Sequence, residues 1–77
     1  MSEEKKLLNH VKEYREKQLI SKTELSREAE ISLVTLDRIE KGYDCRLSTK
    51  RKLLQALGVE ISDKVKIFPD MTESEEV

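Results

Sequence analysis

Two glycines, one proline, one cysteine, one histidine and three aromatic residues are all that this 77-residue sequence holds of those types. Each shortage excludes something. Cys45 stands alone, so there is no internal disulfide and no framework of the kind that staples small secreted domains. Two glycines do not make a glycine-rich phosphate loop, and His10 has Tyr14 rather than a metal ligand four residues on. No nucleophile–base pair and no clustered carboxylates can be assembled, so neither catalysis, nor a metal, nor a cofactor is expected. No apolar run approaches the roughly 20 residues that span a bilayer. The charged start MSEEKK lacks the apolar centre of a signal peptide, so a soluble cytoplasmic protein is expected, with no membrane partner. Tyr14, Tyr43 and Phe68 are the aromatic residues, which leaves any core aliphatic. The length suits one small domain, near the size at which a single core just suffices.

Charge is abundant but unevenly spread. The overall balance is −1. Residues 60–77 carry Glu60, Asp63, Asp70, Glu73, Glu75 and Glu76 against Lys64 and Lys66, a net −4, so residues 1–59 carry +3. Between Cys45 and Val59 lie Arg46, Lys50, Arg51 and Lys52 with no acid among them. A basic body with an acidic tail is compatible with a nucleic-acid partner, which the overall charge alone would have hidden.

Residues 21–42, SKTELSREAEISLVTLDRIEKG, organise the chain. Ser21 with Glu24 three residues later is a capping box for a helix over about 22–28, with Leu25 and Ala29 on one face. Glu30 and Ile31 make a corner. Ser32 is a second N-cap, and in the helix it opens, over 33–41, Leu36 and Ile39 point inward while Leu33, Val34, Asp37 and Arg38 point elsewhere. Gly42 ends that helix. Two such short helices cannot bury their apolar faces alone, so the flanks must complete a core. Upstream, Leu7, Leu8, Val11 and Tyr14 recur at helical spacing and predict a first helix over residues 3–18. Downstream, Ser48 is expected to open a fourth helix with the stripe Leu53, Leu54 and Leu57, ended by Gly58. Thr49, Lys50 and Lys52 sit in its early turns, where positive charge opposes the helix dipole. That local cost points to a binding role over a merely solvated basic face.

The run Ser21, Lys22, Glu24, Leu25, Ala29, Ile31, Ser32, Thr35, Leu36, Arg38, Ile39, Glu40 and Gly42, closed by Ala56-Leu57-Gly58-Val59, resembles the helix-turn-helix of phage-repressor-like regulators. These are the Cro and lambda-repressor type, also called the xenobiotic-response-element family. The resemblance covers roughly residues 7–59 and implies an all-α, compact four- to five-helix DNA-binding domain. It implies a sequence-specific regulator of transcription on double-stranded DNA, with repression by occupying a promoter as the expected mode. By register with the family, Leu33, Val34 and Arg38 face bases, with Thr35 and Asp37 alongside. Arg38 can pair bidentately with guanine, and Leu33 and Val34 can touch thymine methyls. Asp37 either accepts from cytosine or pairs locally with Lys41 at i, i+4, the second being favoured. Lys22, Ser32, Tyr43, Arg46, Lys50 and Lys52 are the candidate phosphate contacts. Arg15 and Glu40 fall where family members place a structural ion pair tying the first helix to the end of the recognition helix. Leu19 and Glu30 replace frequent glycines, and at Glu30 a left-handed backbone is expected.

Residues 60–69 read either as a short fifth helix begun at Ser62 or as an extended segment ended by Pro69. Their apolar residues Ile61, Val65, Ile67 and Phe68 are candidates for homodimerisation, the alternative being packing back onto the core. Residues 70–77 read as an acidic, disordered tail. The competing functional class is a protein-interaction module or antitoxin that turns Leu33 and Val34 against a protein partner.

Overall fold

The computed structural model describes residues 8–69 and Met71. Its elements are α1 (Val11–Lys17), α2 (Lys22–Glu28), α3 (Leu33–Glu40), α4 (Leu47–Leu57) and a 3-10 segment (Ile61–Lys66). The described residues are all-helical, as the spacing predicts. None of these helices reaches the roughly 12–15 residues at which an isolated helix holds in water, so packing must sustain them. Helix α2 packs on α3 and α4, α1 packs on the same two, and the 3-10 segment lies on α4. Val11, Leu25, Leu36, Ile39, Leu53, Leu54 and Ile67 supply the large, fully buried side chains. Removing each from water contributes about 1.5–3 kcal/mol.

All four α-helices stop in the same way. Beyond each, one residue turns to positive φ: Leu19 (58°), Glu30 (59°), Gly42 (105°) and Gly58 (75°). The amide of the residue after it reaches back five residues, as in Ile20 to the Arg15 carbonyl, Ile31 to Ser26, Tyr43 to Arg38 and Val59 to Leu54. The positive-φ residue itself donates to the carbonyl three before it, completing a Schellman motif at each end. Ile20, Ile31 and Val59 then pack against the core, so three of the four stops also supply an apolar contact. Glycine takes the left-handed turn without penalty. At Leu19 and Glu30 a side chain takes it at a cost of about 1–2 kcal/mol.

Three boundaries differ from the sequence expectation. Helix α1 begins at Val11; Leu8, Asn9 and His10 are non-helical and Leu8 is exposed, while residues 1–7 lie outside the described residues. The Asn9 side-chain oxygen receives the Val11 amide at 3.1 Å, and the His10 amide donates to the Ile67 carbonyl at 2.8 Å. Those bonds hold residues 9 and 10 away from the helical path. Helix α4 begins at Leu47 with Arg46 as its cap. The Lys50 amide, which a Ser48 cap would use, already donates to the Arg46 carbonyl. The segment after Val59 is a 3-10 helix from Ile61, broken at Asp63 (φ −104°, ψ 20°), and not a helix opened at Ser62.

Ile67 and Phe68 turn inward and are 0% and 2% exposed, so the alternative of packing back onto the core holds for them. They are unavailable to a partner. Ile61 and Val65 remain outside at 50% and 46%. The acidic tail placed at 70–77 lies outside the described residues except for Met71, which is buried and donates its amide to the Phe68 carbonyl.

Candidate nucleic-acid interface

Helix α3 is held from behind and open in front. Behind it, Arg15 Nε and Nη2 donate to the two Glu40 carboxylate oxygens at 2.7 and 3.2 Å, with the side chains only 9% and 3% exposed. Arg15 Nη1 also donates to the Ile20 carbonyl at 3.1 Å. The Glu40 hydrogen bond raises the Arg15 pKa further above its ordinary value, opposed by burial. Asn9 Nδ2 donates to the Ile39 carbonyl at 2.8 Å while its oxygen accepts the Val11 amide that opens α1. One asparagine thus satisfies a helix start and a helix end together. On the far side, Gln18 Nε2 ties α1 to the Leu57 carbonyl at the end of α4. Asn9 and Gln18 are absent from the sequence expectation. For Asn9 a signal existed, since an asparagine side chain readily bonds the backbone two residues on, but the helical spacing upstream masked it.

In front, Ser32 caps α3 by accepting the Thr35 amide at 3.0 Å and donates its hydroxyl proton to Thr35 Oγ1 at 2.9 Å. The candidate contacts Ser32 and Thr35 therefore bind each other. Leu33 and Val34, just inside the helix, stand out into solvent. Lys22, Thr23, Leu33, Val34 and Asp37 line an open hollow of about 370 Å³. Arg38 is exposed one turn further on, its guanidinium carbon 4.4 Å from the centroid of the Tyr43 ring. The Schellman turn at Gly42 carries Tyr43 back to residue 38 and so puts the ring under the charge.

Asp37 meets two lysines. Its Oδ1 accepts from Lys22 Nζ at 2.7 Å and its Oδ2 lies 3.0 Å from Lys41 Nζ. The local pair with Lys41 is accompanied by a second pair, across the turn, with a residue expected at phosphate. The hydrogen bond from Lys22, then that from Lys41, holds the Asp37 carboxyl below the usual aspartate range, and the same bond to Asp37 raises Lys22.

The other basic candidates separate. Arg46 and Lys52 are exposed, but Lys52 lines the cleft of α2 and α4 with Glu28, Glu30 and Gln55. Lys50 folds inward: its side chain is 12% exposed, with Nζ 3.3 Å from Asp44 Oδ1 and 5.6 Å from the centroid of the Phe68 ring. A lysine expected to reach phosphate is instead occupied within the chain. It runs along the apolar surface made by Phe68, a placement that no local pattern foretells.

Among the described residues no cluster of histidine, cysteine, aspartate and glutamate could hold a metal, and no helix is long and apolar enough to cross a membrane. Curated proteins yield no match to the chain. A family model described as Helix-turn-helix matches residues 11–64, from the first residue of α1 into the 3-10 segment. Caps, turn and core together with that match place the chain in the helix-turn-helix family of the Cro and lambda-repressor type, whose members are DNA-binding regulators.

Proposed function

We propose that this chain is a sequence-specific transcriptional repressor that lays the N-terminal half of α3 in the major groove. The observation that carries the reading is the contrast between the two sides of α3. Its C-terminal end is fastened by Arg15 and Asn9, while Leu33, Val34 and Arg38 face solvent with no core function. A rigid mount presenting apolar groups and a guanidinium suits base edges, because the major groove admits an α-helix and distinguishes all four base pairs. In this reading Arg38 donates to guanine, Leu33 and Val34 meet thymine methyls, and Arg46 and Tyr43 lie along phosphate. Lys22, Ser32, Thr35 and Asp37 act first on one another. Exposed Ile61 and Val65 are the surface for a second copy. A dimer would engage half-sites about 34–36 Å apart. Occupying a promoter in that way represses transcription.

Exposed Leu33 and Val34 also favour a second reading, in which the same face docks on a protein. Selecting bound duplexes from a random DNA pool at near-physiological salt separates the two. An enriched palindrome supports the dimeric repressor, and a single short site supports DNA reading by a monomer. No enrichment from folded protein rejects DNA reading and leaves the protein-docking face.

A further inference from the structure

Asp37 is the one acid of α3 that does not point into the Arg15 pair, and it shares its hollow with Leu33 and Val34. A carboxylate on a face offered to a polyanion is repelled, unless it does something else there. Here each of its oxygens is matched to a lysine, one at either end of the helix-turn-helix: Lys22 opens α2 and Lys41 follows α3. The three side chains together carry +1, and the two ammonium groups are drawn toward the carboxylate. Sequence-independent DNA affinity depends on how many cations neutralise phosphates, each adding about 0.9 to the slope of log K against log salt. Lysines held by a neighbouring acid do not add to that sum.

We infer that Asp37 is a specificity-determining residue: by holding Lys22 and Lys41 it withholds two cations from the phosphate backbone and lowers affinity for DNA of arbitrary sequence. Discrimination is left to Arg38, Leu33 and Val34. The inference rests on the reading that α3 faces DNA. A purely structural tie between α2 and α3 would use the same contacts, and it would change thermal stability without changing the number of phosphates engaged.

The test is a salt series of binding to a mixed-sequence duplex by the natural chain, Asp37→Asn and Asp37→Glu. Asp37→Asn should steepen the slope by about one to two units and tighten mixed-sequence binding about tenfold per released lysine near 0.05 M salt. Its preference for the selected site over mixed sequence should fall. Asp37→Glu keeps the charge and should keep the natural slope. An unchanged slope in folded Asp37→Asn overturns the inference and leaves the DNA reading standing. If the natural chain binds no duplex in a salt-dependent way, the DNA reading fails first. Should Asp37→Asn not fold, Asp37→Ser decides: a slope steeper by about one to two units supports the inference, and a slope within about half a unit of natural overturns it.

Discussion

Arg15 and Glu40, 25 residues apart in sequence, meet through two hydrogen bonds and bury their charges almost completely. Since Asn9 also holds the Ile39 carbonyl, α1 sets the position of the last turn of α3. Leaving either charge unpaired in such a setting costs about 3–5 kcal/mol. Arg15→Met should therefore unfold much of this small domain in chemical denaturation, and Glu40→Leu should do likewise. The double variant should recover most of the loss, because apolar groups of similar size can replace a buried pair. Losses that simply add would show that the two charges do not stabilise the fold through each other.

The helix stops give predictions of opposite sign, two positions against one. Leu19→Gly and Glu30→Gly should each stabilise by about 0.5–1 kcal/mol, since the relief of a left-handed side chain exceeds the entropy that glycine loses on folding. Gly58→Ala should destabilise by a similar amount even though an added Cβ meets nothing within 4 Å. Thermal melts at one pH measure all three. A neutral Gly58→Ala would mean that the turn relaxes to negative φ.

Asn9→Ala removes the bond to the Val11 amide at the start of α1 and the bond to the Ile39 carbonyl together. The expected loss is about 1–2 kcal/mol, with amide exchange fastest at the start of α1. A loss confined to α1, with the end of α3 still protected, would separate the two roles.

The ion pairs of Asp37 predict a particular pH dependence. The folded-state pKa of Asp37 is lowered by Lys22 and Lys41, so its contribution is complete above the unfolded value of about 3.9 and fades as pH falls through the folded one. For Lys22, raised by Asp37, the contribution is complete below the unfolded value of about 10.4 and fades as pH rises through the folded one. Asp37→Asn should thus flatten the acid limb of a melting-temperature profile below about pH 4 and leave the neutral region of that profile level. An acid limb identical in both proteins would assign it to other carboxylates.

Three basic residues should behave differently on DNA. Arg38→Ala should relax preference at particular base positions by about 1–3 kcal/mol. Arg46→Ala should weaken all sequences alike and flatten the salt slope by about one unit. Lys50→Ala, despite its place in a basic run, should leave the slope nearly unchanged and lower stability, because its ammonium already faces Asp44 and Phe68. A full unit of slope lost at Lys50 would show that it leaves Asp44 for phosphate.

Local chemistry made much of the fold legible. Ser21 and Ser32 cap because a hydroxyl three residues ahead of an amide can receive it, and both do so at 3.0 Å. Leu25 with Ala29, Leu36 with Ile39, and Leu53, Leu54 and Leu57 were readable as inward because the helical repeat puts them on one face, and all are buried. The left-handed turn at Glu30 was likewise anticipated, from the resemblance and its glycine substitution. The true start of α1 was not. Apolar spacing continues upstream through Leu8, and only the Asn9 and His10 contacts with Ile39 and Ile67 break the helix there.

Caps and apolar repeats act over three to five residues, so the number and order of the α-helices, and the family, follow from the chain alone. The tertiary structure alone decided which charged groups remain available. A lysine's long stem lets its ammonium reach an acid from another helix or loop. Lys22 thus goes to Asp37 and Lys50 to Asp44, partners 15 and 6 positions away whose approach depends on how the helices pack. It also decided that Ile67 and Phe68 close the core while Ile61 and Val65 stay outside, since a 3-10 segment broken at Asp63 turns its end inward.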